Sequence, residues 1–509
     1  MGEDLLRVHN ALCRISSRRI LRVDDFALAT GQHWCVFGGN GAGKSLLAQL
    51  LRGALVSGHD HLSCAADFSP DRDLQVVSFE EQQQLWALDN RHDISEYSDT
   101  ALDQGTTVAG LILGGTPPDA SAVARFETLL IALDLQSLQS RGIRYLSSGQ
   151  VRKALLARAL YRRPRLLLLD DPLESVDRDS RQRIAVVLQQ WMGPDTCTLL
   201  LCRRQRDILP GITHLALMAD LQVVEQGPLR DVLSGAAWRR LAHREATLPA
   251  SLPVPIPGRH DALADLDPQQ PLFELRNVDA GYQGHLVLTQ FSWTLRRGQH
   301  TLIEGPNGCG KSTLLSLING ENHKAYGQDV VLFGRRRGSG ETIWDVKARF
   351  GTVSNELHNK YVKGWKVLDV VVSGFFASVG LYDDSGASQR NAALDWLRTL
   401  AIAELAGEYY HEISFGQQRL VLLARAMVKH PAILILDEPC VGLDDYHRAL
   451  ILGTVDLIAA TTATQIIYVS HTDDERPACI NQHIRFSGPG QYTISTDLDH
   501  SAPTWRRTL

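Results

Sequence analysis

The sequence lacks several features that would place it in a specialised class of protein. None of its apolar runs approaches the roughly 18 residues that a membrane-spanning helix needs, and its start, MGEDLLRVHN, has no apolar segment of a signal peptide. Its eight cysteines include no C-x-x-C pair, which disfavours a zinc site or redox dithiol and favours a reducing compartment. A formal net charge of -5 argues against a protein that coats nucleic acid. Any membrane association is therefore expected to run through a partner protein.

What the sequence does contain is an internal repeat. GGNGAGKS, from Gly38 to Ser45, recurs as GPNGCGKS from Gly305, and SSGQ from Ser147 recurs as SFGQ from Ser414. The members of each pair are 267 positions apart, as are two pairs of aspartates, Asp170 with Asp437 and Asp177 with Asp444. A chain of 509 residues suits two domains of roughly 200 to 250 residues. We expect a first domain at 1–240, a linker at 241–271 and a second domain at 272–509.

The linker is rich in proline, at positions 249, 253, 255, 257, 268 and 271. Proline lacks a backbone N–H and restricts its own backbone angle, so this density disfavours helix and strand. The pattern predicts an extended, semi-stiff tether.

Each repeat begins with a short apolar strand, a glycine loop and a helical pattern. The runs Leu166 to Leu169 and Ile433 to Leu436 show no polar alternation, which is typical of strands buried on both faces of a parallel sheet. The stretches that follow SSGQ and SFGQ have helical periodicity. These patterns predict an α/β protein with the P-loop NTPase fold in each half.

The repeated G-x-x-x-x-G-K-S motif indicates phosphate binding. Backbone N–H groups of such a loop surround phosphate oxygens, the lysine reaches the β- and γ-phosphates, and the serine ligates Mg²⁺. Asp170 and Asp437 end apolar strands and are expected to complete the Mg²⁺ shell, while the residue after each is placed to activate water. The candidate ATP-binding loop residues are Gly38, Gly39, Asn40, Gly41, Ala42, Gly43, Lys44 and Ser45, and Gly305, Pro306, Asn307, Gly308, Cys309, Gly310, Lys311, Ser312 and Thr313.

The P-loop, the S-x-G-Q signature, the acidic strand with its downstream aspartate and a histidine after the next strand together resemble the ATP-binding cassette (ABC) ATPases, in tandem over nearly the whole chain. Residues Leu332 to Lys347 are similar to tandem-cassette ATPases associated by name with molybdenum transport. The resemblance implies a monomer whose two cassettes pair head to tail. Each ATP would then lie between the P-loop of one cassette and the signature of the other.

This pairing defines two composite sites. The second nucleotide site would combine Lys311, Ser312, Asp437, Glu438 and His471 with Ser147 and Gly149, with Tyr282 stacking on adenine. The first nucleotide site would combine Lys44, Ser45, Asp170 and Asp171 with Ser414 and Gly416. A shift of 267 from His471 lands on Arg204, and no aromatic residue stands near Cys13 to Ile15.

The acid that should activate water is Glu438 in one repeat and Asp171 in the other. Asp171 is shorter by one methylene, about 1.5 Å, which is enough to lose contact with the attacking water. The sequence therefore predicts that the first nucleotide site holds ATP with slow or no hydrolysis. The catalytic residues are expected to be Glu438, His471 and Lys311.

Other positions depart from the family pattern. The glutamine that senses a permease is displaced to Gln82 in the first half and missing from VSNELH, Val353 to His358, in the second. Phe415 adds bulk to the second signature, where backbone should approach phosphate. We expect Arg335 to Arg337 to lie on a solvated hairpin, with contact to an anionic partner as the alternative.

Two classes of function fit these observations. The first is the energising subunit of a membrane importer, with molybdate as the cargo that the resemblance implies, docked on an integral permease at the inner face of the cell membrane. The second is a tandem cassette that acts on ribosomes or nucleic acid. The linker has only Arg244 and Arg259 as cations against four acidic residues, so it suits nucleic acid poorly. We favour the first.

Overall fold

The computed structural model describes residues 4–15, 19–55, 61–91, 105–114, 119–174, 176, 178–256, 263–264, 266–282, 285–306, 308–322, 325, 327–361, 364–376, 378–379, 385–470 and 475–496. The chain divides into two compact units, Met1–Arg244 and Glu245–Leu509. Each unit is α/β, as the sequence predicts.

The strands of the first unit are β1 (Asp4–Arg14), β2 (Ile20–Ala29), β3 (His33–Phe37), β4 (Leu62–Cys64), β5 (Leu74–Val77), β6 (Leu166–Asp170), β7 (Cys197–Cys202), β8 (His214–Ala219) and β9 (Gln222–Pro228). Its helices are α1 (Lys44–Leu51), α2 (Pro70–Asp73), α3 (Phe79–Arg91), α4 (Val108–Leu113), α5 (Ala120–Ala132), α6 (Ser148–Tyr161), α7 (Arg178–Trp191), α8 (Leu229–Ser234) and α9 (Ala236–Ala242).

The described strands of the first unit form one sheet in the order β4-β1-β2-β9-β8-β3-β7-β6-β5. Its centre, from β8 through β3, β7 and β6 to β5, is parallel. Every residue from Leu166 to Leu169 is buried, as predicted for a strand covered on both faces. The carboxyl ends of β3, β7 and β6 therefore meet at one edge, where parallel sheets bind ligands.

The strands of the second unit are β10 (Phe273–Tyr282), β11 (His285–Leu295), β12 (Thr301–Glu304), β13 (Asp329–Leu332), β14 (Arg335–Arg336), β15 (Phe350–Val353), β16 (Ile433–Asp437), β17 (Gln465–Val469), β18 (Gln482–Gly488) and β19 (Gln491–Ser495). Its helices are α10 (Lys311–Ile318), α11 (Ile343–Ala348), α12 (Asn355–Lys360), α13 (Val367–Val372), α14 (Ala387–Thr399), α15 (Phe415–Met427) and α16 (Asp445–Thr461).

In the second unit the described strands form two sheets. One is antiparallel, in the order β11-β10-β13-β14, and the other runs β15-β16-β17-β12-β18-β19. The pairs from β15 to β18 are parallel, and their apolar side chains pack on both faces. The order β12-β17-β16 repeats the order β3-β7-β6 of the first unit, so the carboxyl ends of these strands meet at an equivalent edge of the second unit.

The proline-rich segment packs against the second unit. Residues 243–256 form neither helix nor strand, as their prolines predict. Leu252 contacts the apolar core of the second unit, Leu263 and Leu266 are buried in it, and Arg297 donates to the carbonyl of Leu266 at 2.8 Å. In its described parts the segment lacks regular structure, as predicted, and it also packs on the second unit, because the apolar residues between the prolines find apolar neighbours.

Candidate nucleotide-binding sites

Both P-loops join a central strand to a helix through a glycine in the left-handed backbone region. Gly43 precedes α1 with φ 105°, and Gly310 precedes α10 with φ 108°. A side chain is strained in this conformation, so glycine is required there. The turn directs the first N–H groups of each helix, and the positive end of its dipole, toward the space above the sheet edge. This geometry suits a phosphate group.

The two P-loop lysines occupy the same position in their loops. Nζ of Lys44 donates to the carbonyls of Gly38 and Gly39 at 2.6 and 3.0 Å. Nζ of Lys311 donates to the carbonyls of Gly305 and Pro306 at 2.8 and 2.9 Å. Each ammonium group is thus held within the curve of its own loop, where it can meet phosphate oxygens.

In the first unit, P-loop and acidic strand meet directly. Ser45 donates its hydroxyl to a carboxylate oxygen of Asp170 at 2.9 Å. Desolvation, together with the charge of Asp171, raises the pKa of Asp170 to about 6. A hydroxyl and a carboxylate are hard oxygen donors of the type that Mg²⁺ prefers, and a cation would relieve the cost of this desolvated acid. These residues therefore fit a magnesium ion.

In the second unit, the acidic strand β16 lies one strand away from β12, which leads into the P-loop. Desolvation lowers the pKa of Lys311, while the charges of Cys309, Glu438 and Asp437 oppose that shift. Glu438 has φ 50° and its counterpart Asp171 has φ 45°, so the two backbones turn alike and the acids differ in the side chain.

The strand register corrects one assignment made from the sequence. Asp170 pairs with Leu201, whereas Asp437 pairs with Val469, so the separation along the chain is 31 residues in one unit and 32 in the other. The N–H groups of Asp171 and Glu438 likewise bond the carbonyls of Leu201 and Val469, each at 3.1 Å. The prediction that Arg204 is the counterpart of His471 in the first repeat is therefore wrong.

The residue two positions beyond Leu201 is Arg203, and His471 lies two positions beyond Val469. The second unit carries one more residue between these strands, where α16 is longer than α7. The constant offset of 267 positions between the two repeats therefore does not hold after this extra residue. Arg204 instead lies buried beside Asp207, with 3.6 Å between Nε and a carboxylate oxygen.

Arg203 forms an ion pair with the shortened acid. Its Nε and Nη2 donate to one oxygen of Asp171 at 2.9 and 2.5 Å, and Nη2 also donates to Glu174 at 2.7 Å. The three side chains are only 10 to 16% exposed. Desolvation alone would raise the pKa of Asp171, but Arg203 and Lys44 outweigh it and hold that pKa below its ordinary value. A carboxylate held in this way is a weaker base.

The two signatures start helices, as their sequences suggest. The hydroxyl of Ser147 caps α6 by accepting from the backbone N–H of Gln150 at 3.2 Å. The side-chain oxygen of Gln150 accepts in turn from the backbone N–H of Ser147 at 2.9 Å. Ser414 and Gln417 form the same capping box at the start of α15. The S-x-x-Q spacing is therefore explained locally by helix capping, and it presents the N-terminal end of each helix.

Two residues of the second signature pack inside their own unit. A Cβ on Gly416 would lie 2.5 Å from the ring of His447, so only glycine fits there. The ring of Phe415 contacts His358 edge-on at 5.2 Å and lies 4.8 Å from the guanidinium of Arg419. The expectation that Phe415 crowds the phosphate-facing backbone is therefore wrong, because its ring turns back into the second unit.

Each signature helix carries an arginine that contacts the segment after the edge strand of its sheet, β5 in the first unit and β15 in the second. The sequence did not reveal this contact. Arg152 of α6 donates to Gln82 at 3.3 Å and to the carbonyl of Asp171 at 3.0 Å. Arg419 of α15 donates to Asn355 and to the carbonyl of Ser354. Gln82 is fully buried, and in this structure its side-chain oxygen is engaged by Arg152.

The arginine cluster behaves as two groups. Strands β13 and β14 form the predicted hairpin, and Arg335 and Arg336 are exposed on it. Arg337 is buried and bonds Glu341 at 2.8 Å, so the prediction of a solvated side chain is wrong for this residue.

Some predicted positions lie outside the described residues. They are Asn307, His471 and the landmark Asp177, together with the side chain of Tyr282. Among the residues described, no helix has the length and apolar character needed to cross a membrane.

Sequence comparison finds known proteins that are similar to both units. A profile of the ABC transporter family matches residues 21–174 and 288–441. The ABC transporter ATP-binding protein ModF of Escherichia coli K12 is 36% identical over 491 residues, which cover 95% of this chain and 97% of that protein. An uncharacterised ABC transporter ATP-binding protein of Schizosaccharomyces pombe is 26% identical, over 90% of this chain and 92% of its own.

Among solved structures, an archaeal ribosome recycling factor, determined in complex with the archaeal ribosomal stalk protein, superimposes with a TM-score of 0.54. Its identity is 17%, over 95% of this chain and 89% of that one, so the likeness concerns the fold alone. The family profile, in contrast, matches a segment of each unit, and the bacterial relative spans nearly the whole chain. This protein therefore belongs to the ABC transporter family, as an ATPase with two ATP-binding cassettes in tandem.

Proposed function

We propose that this ATPase energises a membrane transporter and that its two nucleotide sites are unequal. Hydrolysis takes place at the second nucleotide site, and the first retains ATP. The observation that carries the inequality is the ion pair between Asp171 and Arg203. At the corresponding position of the second cassette the acid is Glu438, which is longer by one methylene.

At the second nucleotide site, Lys311 would bind the β- and γ-phosphates, and the hydroxyl of Ser312 and the carboxylate of Asp437 would hold Mg²⁺. The ion, when bound, supplies positive charge that stabilises the phosphates in the transition state. Glu438 orients the attacking water and accepts its proton. His471 contacts the terminal phosphate, and Tyr282 stacks on the adenine, as the family resemblance implies.

At the first nucleotide site, Lys44, Ser45 and Asp170 provide the same phosphate and Mg²⁺ contacts. Asp171 is both shorter than Glu438 and held by Arg203. Binding therefore survives, while proton transfer from water is lost.

We further propose that the sites are completed across the cassettes. Ser147 and Gly149 of the first signature serve the second nucleotide site, and Ser414 and Gly416 of the second signature serve the first. The pairing follows the family resemblance, and the capping boxes support it only by fixing Ser147 and Ser414 at the N-terminal ends of α6 and α15, where the helix dipole favours an anion. The protein would then work as a monomer with its halves paired.

The transporter assignment is supported by the 36% identity to a bacterial ABC transporter ATP-binding protein. The cargo that the sequence resemblance implies is molybdate. In this proposal the protein is cytoplasmic and docks peripherally on an integral permease at the inner face of the membrane. Nucleic acid is a poor partner for the acidic linker.

The test is affinity purification of the tagged full-length protein from detergent-solubilised membranes of its own host. An integral membrane protein that co-purifies in stoichiometric amount supports the proposal. Protein-free liposomes are the control, because a partner-dependent protein does not sediment with them.

Sedimentation with ribosomes, without a membrane partner, would overturn the transporter proposal. It would favour the alternative in which a tandem cassette acts on the ribosome.

A further inference from the structure

Arg203 lies between the two elements that define the first nucleotide site. It follows β7, and β7 is flanked in the sheet by β3, which leads into the P-loop, and by β6, which ends in the acids. The charge of Arg203 acts on both Asp170 and Asp171, and so does the charge of Lys44. Two fixed cations thus stand at the edge where a triphosphate would lie.

The side chain of Arg203 is already oriented. Asp171 and Glu174 hold its Nε and Nη2 at 2.5 to 2.9 Å, and 16% of the side chain is exposed. A guanidinium stays charged at any physiological pH and carries five N–H donors that match the geometry of phosphate. A side chain ordered in advance loses little conformational entropy when it binds.

We propose that Arg203 is a phosphate-binding residue of the first nucleotide site and that it lets this site keep a nucleoside triphosphate with little dependence on Mg²⁺. The inference rests on the proposed function, in which this site retains ATP. Arg203 shares its donors between the carboxylates and the terminal phosphate, and so keeps Asp171 and the phosphate from repelling each other. The same contact keeps Asp171 from serving as a base.

The second cassette gives the contrast. Its β17 ends at Val469 and continues through Ser470 to His471. Neither of these side chains is a permanent cation at neutral pH. Retention at the second nucleotide site should therefore depend on Mg²⁺ far more strongly than retention at the first.

The experiment uses the full chain with Lys311→Ala, which removes the P-loop lysine of the second nucleotide site. Labelled ATP is bound, and its retention is followed by rapid gel filtration and filter binding in Mg²⁺ and in EDTA. With Arg203 intact, retention in EDTA should persist. Arg203→Met should shorten the retention half-time on the order of tenfold to a hundredfold in EDTA, the loss expected for a hydrogen bond to a charged group. Arg203→Lys should restore part of it.

The matched control is Arg206→Met, which removes a neighbouring and more exposed guanidinium, 32% exposed against 16%. It should leave retention unchanged. Because Arg203→Met alone strands two largely buried acids, the triple variant Arg203→Met, Asp171→Asn, Glu174→Gln is measured beside it. This variant removes the whole ion-pair network, including the carboxylates that would repel the phosphate. In EDTA it should therefore retain ATP less well than the parent, because the guanidinium is missing, but better than the single variant.

Retention by Arg203→Met or by the triple variant equal to that of the parent would overturn the role of Arg203. Rapid loss of ATP by the parent itself, in Mg²⁺, is a different result. It would show that the first nucleotide site does not retain ATP, and so would overturn the proposed function.

Discussion

The guanidinium of Arg203 donates to a single carboxylate oxygen of Asp171 through both Nε and Nη2. By strand register Asp171 corresponds to Glu438, and by its position in the sequence after β7 Arg203 corresponds to His471. Shortening of the acid is therefore one of two changes, and the second is a cation that binds it. The following predictions separate the consequences of these changes.

Glu438→Gln should nearly abolish steady-state ATP turnover, whereas Asp171→Asn should change it little. Loss of a general base costs on the order of 10²- to 10⁴-fold, and only Glu438 is expected to act as one. ATPase rates of the two purified variants decide the matter. Equal losses would remove the proposed inequality of the sites.

Asp171→Glu alone should not activate the first nucleotide site, because Arg203 can still bind the longer acid. Asp171→Glu combined with Arg203→His should restore hydrolysis there. Both are made in the Glu438→Gln background, so that single-turnover release of labelled phosphate reports on the first nucleotide site. Activity from Asp171→Glu by itself would show that acid length alone was limiting.

Ser147→Arg should reduce turnover more than Ser414→Arg. Both serines cap a helix through the same box, so the structural cost of losing the cap, about 1 kcal/mol, is similar in the two variants. The difference then reports which signature serves the hydrolysing site. A greater loss from Ser414→Arg would reverse the proposed pairing.

ATP at the first nucleotide site should outlive many turnovers at the second. Lys44 is held at the carbonyl of Gly38 and Ser45 at Asp170, where the proposal has them bind phosphate and metal, while Asp171 is engaged by Arg203. The measurement is rapid-quench turnover of pre-bound labelled ATP, followed by an unlabelled chase. About half the label should be lost slowly if the two sites are equally filled. A single exponential for all the label would contradict the proposal.

Asp89→Asn should destabilise the protein by about 3 to 5 kcal/mol, because it breaks a buried ion pair with Arg144 at 2.9 Å. Desolvation raises the pKa of Asp89, but bonds from Thr106 and Arg144 outweigh it, so the net pKa is lowered. The stability from this shift is therefore present above about pH 4, the ordinary pKa of aspartate, and is lost as pH falls below it.

Urea unfolding of the full chain between pH 3 and pH 7 tests this directly. Asp89→Asn should show a shallower loss of stability at acid pH than the parent does. Asp395→Asn, which removes an exposed ion pair with Arg398, is the control and should change stability by no more than about 1 kcal/mol. If Asp89→Asn loses as much stability at acid pH as the parent does, other groups cause the pH dependence.

Local pattern in the sequence determined the α/β class, the duplication and the position of each P-loop and signature. Uniform apolar runs such as Leu166 to Leu169 are buried strands because a parallel sheet is covered on both faces. The S-x-x-Q spacing marks helix starts because capping joins residues three apart. These relationships act over a few residues, so they can be read without a structure.

Contacts between distant residues were decided by the tertiary structure. A constant offset of 267 made Arg204 the counterpart of His471. Only the pairing of β6 with β7 and of β16 with β17 revealed the extra residue in the second unit, which makes Arg203 the counterpart instead. The ends of the apolar runs in β7 and β17 could not reveal this extra residue. Cys202 is itself apolar and extends the run of β7 by one residue beyond Leu201. Likewise, Phe415 turns inward toward His358, and Arg337 is buried against Glu341. Side-chain direction and strand register depend on packing between segments far apart in the chain, and periodicity does not encode that packing.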